Sequence, residues 1–172
     1  MRIDAESGAL LPEAHLYALD LDADHWPVHQ YWLMCRDVGQ FTGVKALPNG
    51  MTVEELNPTA GFAKQMYWDV GGPWIWGDKR AYSDAQWLDY TALPGFRQFK
   101  LCLKDGTLAG FAETSFDTES GQAELEYFGL LPQAVGLRAG AAFLSQIIGK
   151  LWDGRCSRIR LSTCTLDHPG AF

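Results

Sequence analysis

Two apolar strand patterns near the C-terminal end of the chain are separated by a run of residues with helical spacing. The first pattern spans 123–131 and the second spans 157–165, in which Ile159 and Leu161 alternate with polar residues. From 140 to about 152, apolar residues recur every three or four positions, as in an amphipathic helix. A strand, a helix and a second strand in this order form a unit whose two strands lie parallel. The chain is therefore expected to build a sheet that contains a parallel pair.

Asp105-Gly106 marks a tight hairpin upstream of this unit. Asp-Gly favours the two-residue turn of an antiparallel hairpin, and apolar strand patterns flank it at 99–103 and 108–116. Shorter patterns predict one further strand and two helices, at 51–56, 58–69 and 83–93. Strands that meander before a strand–helix–strand unit predict an α/β (α+β) fold. Its sheet is mixed and mostly antiparallel, with a parallel βαβ unit and flanking helices.

Residues 1–48 carry mixed signals and are interpreted as an N-terminal extension of a domain that spans 49–172. The apolar run Tyr31–Cys35 fits either a strand or a short buried helix, because periodicity does not separate the two in short runs. The start of the chain is acidic and broken by Pro12, unlike a signal peptide. No stretch approaches the roughly 20 apolar residues that cross a bilayer. We therefore expect a cytoplasmic protein with no membrane partner.

The charge of the chain argues against several classes of partner. A formal net charge of -7 repels nucleic acid and anionic membranes, so DNA or RNA binding is not expected. The four cysteines form no CxxC pair and the histidines form no ligand pattern, so no metal site and no disulfide framework are predicted. An anionic ligand would have to be held mainly by backbone amides and a few cations.

The segment 124–141 reads as a strand, a turn with small residues and the first turn of an apolar helix. Helix starts bind phosphate well, because they present free amide N–H groups and the positive end of the helix dipole. Gly136, Gly140 and Ala141 would let a ligand approach the backbone closely. The alternative is that these small residues only allow tight packing between the strand and the helix.

Two short motifs carry a resemblance to a known family. Residues 127–132 read Tyr-Phe-Gly-Leu-Leu-Pro, and residues 163–169 read Thr-Cys-Thr-Leu-Asp-His-Pro. Both resemble segments of the GNAT superfamily of N-acyltransferases, as do the segments 70–76 and 83–87. The likeness covers most of the chain from about residue 50 onward.

The resemblance implies an N-acetyltransferase that moves an acetyl group from acetyl-CoA directly to an amine. In such proteins a strand contacts the pantetheine arm of the cofactor, and the following turn and helix start wrap its pyrophosphate. The corresponding strand residues here are Phe128, Gly129 and Leu130. The corresponding turn residues are Val135, Gly136, Leu137, Arg138, Ala139, Gly140 and Ala141.

The sequence departs from the family pattern at two places. The family turn reads Arg/Gln-x-x-Gly-x-Gly/Ala, but Val135 stands at its first position and Arg138 at its first glycine. Family members also continue beyond the Asp-His-Pro segment into a helix that carries a tyrosine acid and then a last strand. The domain is therefore expected to be C-terminally incomplete, or completed by a partner or by the N-terminal extension. No tyrosine is assigned as the general acid.

Glu124 and Glu126 are the candidate catalytic residues, as general bases. Strand alternation predicts that both point to the same face as Phe128. Glu124 also lies where members of the family often place a base that acts through water. The alternative is that both are solvated acids on a strand face.

Three aromatic residues raise further alternatives. Trp74 and Trp76 lie where the family builds the wall of its acceptor site, so they are candidate substrate-binding residues; burying a helix connection is the equal alternative. His168 invites a catalytic interpretation, but Asp167 as a helix N-cap followed by Pro169 is the preferred one.

Two hypotheses compete with catalysis. The chain is either a degenerate GNAT-like domain that binds a CoA species or nothing, or a structural subunit whose unfinished sheet pairs with another chain, for instance in a homodimer. The acceptor is a small-molecule or peptide amine whose identity the sequence leaves open.

Overall fold

The structure is a computed structural model that describes residues 28–152 and 155–171 in full and the backbone of 2–3, 10–11 and 13–17. Most of residues 1–27 of the predicted extension therefore lie outside the described residues. The strands are β1 (Arg2–Ile3), β2 (Leu10–Leu11), β3 (Glu13–Tyr17), β4 (Val28–Cys35), β5 (Thr52–Leu56), β6 (Arg97–Cys102), β7 (Leu108–Asp117), β8 (Gln122–Leu130) and β9 (Arg158–Cys164). The helices are α1 (Ala60–Gly71), α2 (Asp84–Thr91) and α3 (Gly140–Leu151).

Within the described part of the chain, seven strands form one sheet in the order β3-β4-β9-β8-β7-β6-β5. Neighbouring strands run antiparallel except for β8 and β9, which run parallel and are joined through α3. The predicted mixed, mostly antiparallel sheet with one βαβ unit is confirmed. Of the described helices, none combines the length and the apolar character needed to cross a membrane.

The apolar run Tyr31–Cys35 is a strand and forms part of β4. β4 pairs with β9 over six residues, from Gln30 opposite Cys164 to Cys35 opposite Ile159. The N-terminal part of the chain therefore covers the edge of β9 that the resemblance left open. The boundary at residue 48 stays a prediction.

Two of the helices, α1 and α2, begin at capping residues. The side chain of Thr59 caps α1 by accepting a hydrogen bond from the Phe62 amide at 3.4 Å. Ser83 and Gln86 form the expected reciprocal capping box at α2. Their caps fix the direction in which both helices leave the sheet.

Apolar side chains cover both faces of the sheet. On one face, α3 packs against the strands through the core residues Phe143, Ile147 and Leu151. On the other face, α1 and α2 contribute two aromatic-rich clusters that include Tyr67, Trp87, Met66 and Val70. The central strand β8 is therefore enclosed between α3 and the α1–α2 pair.

A β-bulge in β8 changes which side chains share a face. Tyr127 lies opposite Glu113 and Leu125 lies opposite Thr114, so Glu126 is an extra residue without a partner on β7. As a result Phe128 packs with Leu125 in the core under α3. Tyr127 instead packs against α1 and α2. The prediction that Phe128 shares a face with Glu124 and Glu126 is wrong, because the bulge interrupts the period-two alternation before Phe128.

The contact between α1 and Trp76 leaves no room for a side chain at Gly71, because an added Cβ would overlap the indole ring. We expect Gly71→Ala to lower the free energy of unfolding by about 1–3 kcal/mol, through overpacking in a buried site. Gly61→Ala in the same helix is the matched control, because its Cβ would meet open space. It should gain up to about 1 kcal/mol from helix propensity. Urea unfolding of both variants measures the difference, and equal effects would contradict the packing.

Candidate functional site

The parallel strands β8 and β9 separate at the bulge. They pair only from Gln122 to Leu125 on β8, opposite Arg158 to Leu161. Beyond that point β8 stays paired with β7, while β9 stays paired with β4 as far as Cys164. Among the described residues, no strand pairs with 126–130 on the side of β9. Backbone groups of this segment are therefore available to a ligand that lies between the two strands.

The start of α3 lies at the end of the same gap, since a Cβ on Gly140 would come 3.8 Å from Leu130 Cδ1. Ala139 precedes the helix and gives it no side-chain cap. The first helical hydrogen bond runs from the Phe143 amide to the Ala139 carbonyl at 2.8 Å. The three amides between them are left without helical acceptors, as at any helix start. Free amides at the positive end of a helix dipole are a favourable environment for an anion.

The turn that leads into α3 takes left-handed backbone at two positions. Gly136 has a φ of 85° and Arg138 has a φ of 58°. A left-handed conformation costs a non-glycine residue about 1–2 kcal/mol, so Arg138 is strained where the family pattern has glycine. Val135 and Leu137, in the same turn, are largely exposed apolar side chains.

The strand residues predicted to contact a cofactor differ in their surroundings. Phe128 stacks on Phe143 of α3 with ring centroids 5.0 Å apart. Gly129 lies directly under α1, where an added Cβ would overlap Val70. Glycine is thus required at 129 by packing as well as being a candidate cofactor contact.

Glu124 and Glu126 lie beside each other but have different partners. Arg160 donates to Glu124 Oε2 from Nε and Nη2, both at 2.6 Å. Burial raises the pKa of Glu124, although the hydrogen bond from Arg160 acts in the opposite direction. Glu126 Oε1 accepts a hydrogen bond from Ser115 Oγ at 2.6 Å. The ion pair engages Glu124, whereas the hydrogen bond that Glu126 accepts within the described part of the chain comes from a neutral donor.

Sequence reasoning missed Glu113, which is only 1% exposed. Its carboxylate accepts hydrogen bonds from the Tyr90 hydroxyl and from Gln98 Nε2, each at 3.0 Å. Burial raises the pKa of Glu113 to about 7, and these two donors reduce the effect. A charged residue inside the apolar pattern 108–116 is the signal that could have found it.

A second missed cluster surrounds Lys79, between α1 and α2. Lys79 Nζ donates to the Tyr127 hydroxyl at 2.8 Å and contacts Asp78 Oδ2 at 3.2 Å. The Tyr127 hydroxyl also donates to Asp78, as does the Tyr67 hydroxyl at 3.0 Å. Burial acts to raise the pKa of Asp78, but the donors around it hold that pKa below its ordinary value. Burial raises the pKa of Tyr67 to about 12.

The aromatic loop after α1 docks on the segment that follows β9. Trp76 Nε1 donates to Asp167 Oδ1 at 3.2 Å, and the Trp76 ring lies 4.9 Å from that of Tyr127. The Trp74 ring meets His168 edge-on at 5.1 Å. Trp76 thus helps to bury the helix connection and also borders the face that carries Tyr127.

Asp167 is not the N-cap that the sequence suggested. Its Oδ2 instead accepts hydrogen bonds from Thr163 Oγ1 at 2.8 Å and from the Cys164 amide at 2.9 Å. The Gly170 amide donates to His168 Nδ1 at 2.9 Å, so His168 caps the short turn that follows. Among the described side chains, no group of three or more His, Cys, Asp or Glu residues is placed to hold a metal ion.

Comparison with models of protein families shows to which family the chain belongs. The model of the Acetyltransferase (GNAT) family matches residues 63–171, more than half of the chain. The chain belongs to the GNAT family. The match includes the gap between β8 and β9 and the start of α3, whereas β4 and β5 precede it in the sequence.

Solved structures with the same fold include several GNAT acetyltransferases. A GCN5-related N-acetyltransferase from Sphaerobacter thermophilus gives a TM-score of 0.60 at 16% identity, over 81% of this chain and 44% of that one. A tandem GNAT protein from the clavulanic acid biosynthesis pathway gives 0.56 at 17% identity, over 84% and 46%. An aminoglycoside acetyltransferase from an uncultured soil metagenomic sample gives 0.53 at 8% identity, over 66% and 78%.

These structural likenesses establish the fold alone, because all three sequence identities are below 25%. The chain spans less than half the length of the first two structures. No curated protein sequence matches the chain.

The buried Glu113 should make the stability of this GNAT domain depend on pH. Its pKa is raised from 4.5 to about 7 on folding, so the folded protein binds the proton more tightly than the unfolded chain. We expect the free energy of unfolding to fall by up to about 3 kcal/mol as the pH rises from 4.5 through 7. Glu113→Gln should flatten this decline in urea unfolding across that range. Glu119→Gln, at an exposed turn, is the control and should keep it; an unchanged decline in Glu113→Gln would contradict the assignment.

Proposed function

We propose that the chain is an N-acetyltransferase that moves an acetyl group from acetyl-CoA directly to an amine. The observation that carries the proposal is the separation of β8 and β9 at the bulge, with the uncapped start of α3 at its far end. An extended polar arm fits such a gap, and a pyrophosphate fits such a helix start. Membership of the GNAT family supports the same donor.

The residues around the gap suit acetyl-CoA. Backbone groups of Phe128–Leu130 would hold the pantetheine arm, and the turn from Val135 to Ala141 would hold the pyrophosphate. Arg138 would add a cation that can pair with phosphate. When bound, acetyl-CoA would supply the acetyl group as an activated thioester.

The face that carries Tyr127 would receive the acceptor. An amine attacks only in its neutral form, so a nearby carboxylate must take its proton. Glu126 is favoured as this base, because Arg160 already engages Glu124. Glu124 would then orient the site, and Trp74 and Trp76 would border the acceptor. The acceptor would be a small-molecule or peptide amine, for which the aminoglycoside acetyltransferase is one structural precedent.

A domain that binds CoA without catalysis is the second candidate. Val135 removes the cation or amide side chain expected at the start of the phosphate turn, and Arg138 strains it. Both changes would weaken the cofactor site.

We also propose that the protein forms a homodimer and that it is cytoplasmic.

Ala141→Asp tests the phosphate site without harming the helix. Ala141 is exposed in the first turn of α3, where a carboxylate favours the helix dipole but repels phosphate. We expect acetyl-CoA affinity by calorimetry to fall at least tenfold while the melting temperature stays level or rises. Ala141→Asn, of the same size and neutral, is the control and should bind nearly as the parent does. Equal affinity for all three proteins would place the phosphates elsewhere.

Glu126→Gln tests the proposed base. We expect kcat/KM for acetyl transfer to an amine to drop by about 10²–10⁴-fold, because the proton acceptor is lost. Acetyl-CoA affinity should stay unchanged, and Glu119→Gln should keep full activity. Undiminished transfer by Glu126→Gln would remove Glu126 from the mechanism. A parent protein that binds acetyl-CoA but acetylates no amine would favour the second candidate.

A further inference from the structure

The ammonium group of Lys79 lies among three tyrosine rings. Its Nζ is 4.4 Å from the centroid of Tyr90, 4.6 Å from that of Tyr127 and 5.6 Å from that of Tyr82. Tyr127 also accepts a hydrogen bond from it, and Asp78 balances its charge at 3.2 Å. Aromatic rings and a carboxylate around one cation are the arrangement with which proteins recognise alkylammonium groups.

The cluster has a closed side and an open side. Two of its members are nearly buried. The Lys79 side chain is 11% exposed, and Tyr90 as a whole residue is 8% exposed. The Asp78 side chain, by contrast, is 58% exposed. An ammonium ion could therefore enter past Asp78 and reach the rings without passing through the core.

The cluster also lies on the face of the sheet where the acceptor is proposed to bind. Tyr127 directly follows the bulge residue Glu126, and the hydroxyl of Tyr127 is the direct contact between the strand and Lys79. Burial raises the pKa of Glu113 and of Glu124 on the same face, and the charge of Lys79 opposes this rise. A cation in the position of the Lys79 ammonium therefore interacts favourably with the ionised forms of these two carboxyl groups.

We propose that Tyr82, Tyr90, Tyr127 and Asp78 form a cage for the ammonium group of a cationic alkylamine, and that Lys79 fills this cage as a tethered competitor. An incoming alkylamine would displace the Lys79 ammonium and take over the same rings and carboxylate. That the molecule carrying this ammonium group is the acetyl acceptor rests on the proposed acetyltransferase function; the cage itself does not. The amine that is acetylated would be a second amino group of that molecule, because only a neutral amine attacks the thioester.

Chemical rescue of Lys79→Ala tests the cage without any CoA. This variant removes the resident ammonium and its stem, and n-butylammonium supplies both from solution. We expect n-butylammonium to raise the melting temperature of Lys79→Ala in a saturable way, and to shift the parent protein only at much higher concentrations, because Lys79 competes for the cage there. Arg80→Ala is the matched control, because the Arg80 guanidinium stacks on Trp68 outside the cage. Its melting temperature should not respond to the amine.

Neutral n-butanol separates recognition of charge from the filling of an apolar hole. An equal shift of Lys79→Ala by n-butanol and by n-butylammonium would overturn the proposal, as would an equal shift of the parent protein or no shift at all. Lys79→Met with ammonium ion decides the matter if Lys79→Ala does not fold, because Met keeps a stem of the same length and lacks only the ammonium group. A saturable shift there supports the cage and its absence overturns it.

The two proposals fail separately. If butylammonium rescues Lys79→Ala but the parent protein transfers no acetyl group, the cage stands and the enzymatic function falls. If the parent protein acetylates amines but rescue is absent, the enzyme stands and the cage falls.

Discussion

The bulge at Glu126 is the constraint on which the rest of the site depends. One extra residue in β8 ends its pairing with β9 after Leu125 and opens the gap toward the start of α3. The same residue reverses the alternation, which sends Phe128 to the α3 core and Tyr127 to the opposite face. A single local irregularity thus produces both the gap proposed to hold the cofactor and the face proposed to receive the acceptor. Bulges commonly re-aim side chains next to active sites.

Charge is concentrated on the Tyr127 face, while the α3 face is mainly apolar apart from the ion pair of Arg97 with Glu55. The buried carboxyl of Glu113, the ion pair of Glu124 with Arg160 and the Lys79 cluster all lie on the side of α1 and α2. Low local dielectric strengthens the interactions among these groups. Tyrosine and glutamine donors hold Glu113, and Arg160 holds Glu124. Trp76, which donates a hydrogen bond to Asp167, lies at the edge of this network. This arrangement supports the proposal that the Tyr127 face binds a cationic acceptor and that a carboxylate there takes up its proton.

The sequence predicted the elements, the meander and the parallel pair, but it predicted neither the register of β8 nor the contacts between distant segments, for physical reasons. Apolar spacing and caps are local, so α3 begins at Gly140 as expected and Ser83 caps α2 through Gln86. The bulge depends on the register of β8 against β7, which no local pattern in β8 encodes. Lys79 meets Tyr127 across 48 residues of sequence, and such contacts arise only from the assembled fold. Pairing of β4 with β9 likewise joins distant segments, so the role of the N-terminal part stayed open.

Amide hydrogen exchange with and without acetyl-CoA tests whether the gap opened by the bulge is the cofactor site, because it reports where the ligand lies along the backbone. The account predicts new protection in residues 126–130 of β8 and in the first turn of α3 from Gly140, with little change in β5 and β6. Protection confined to other elements, or none in a protein that binds acetyl-CoA, would contradict the claim that the gap opened by the bulge is the cofactor site.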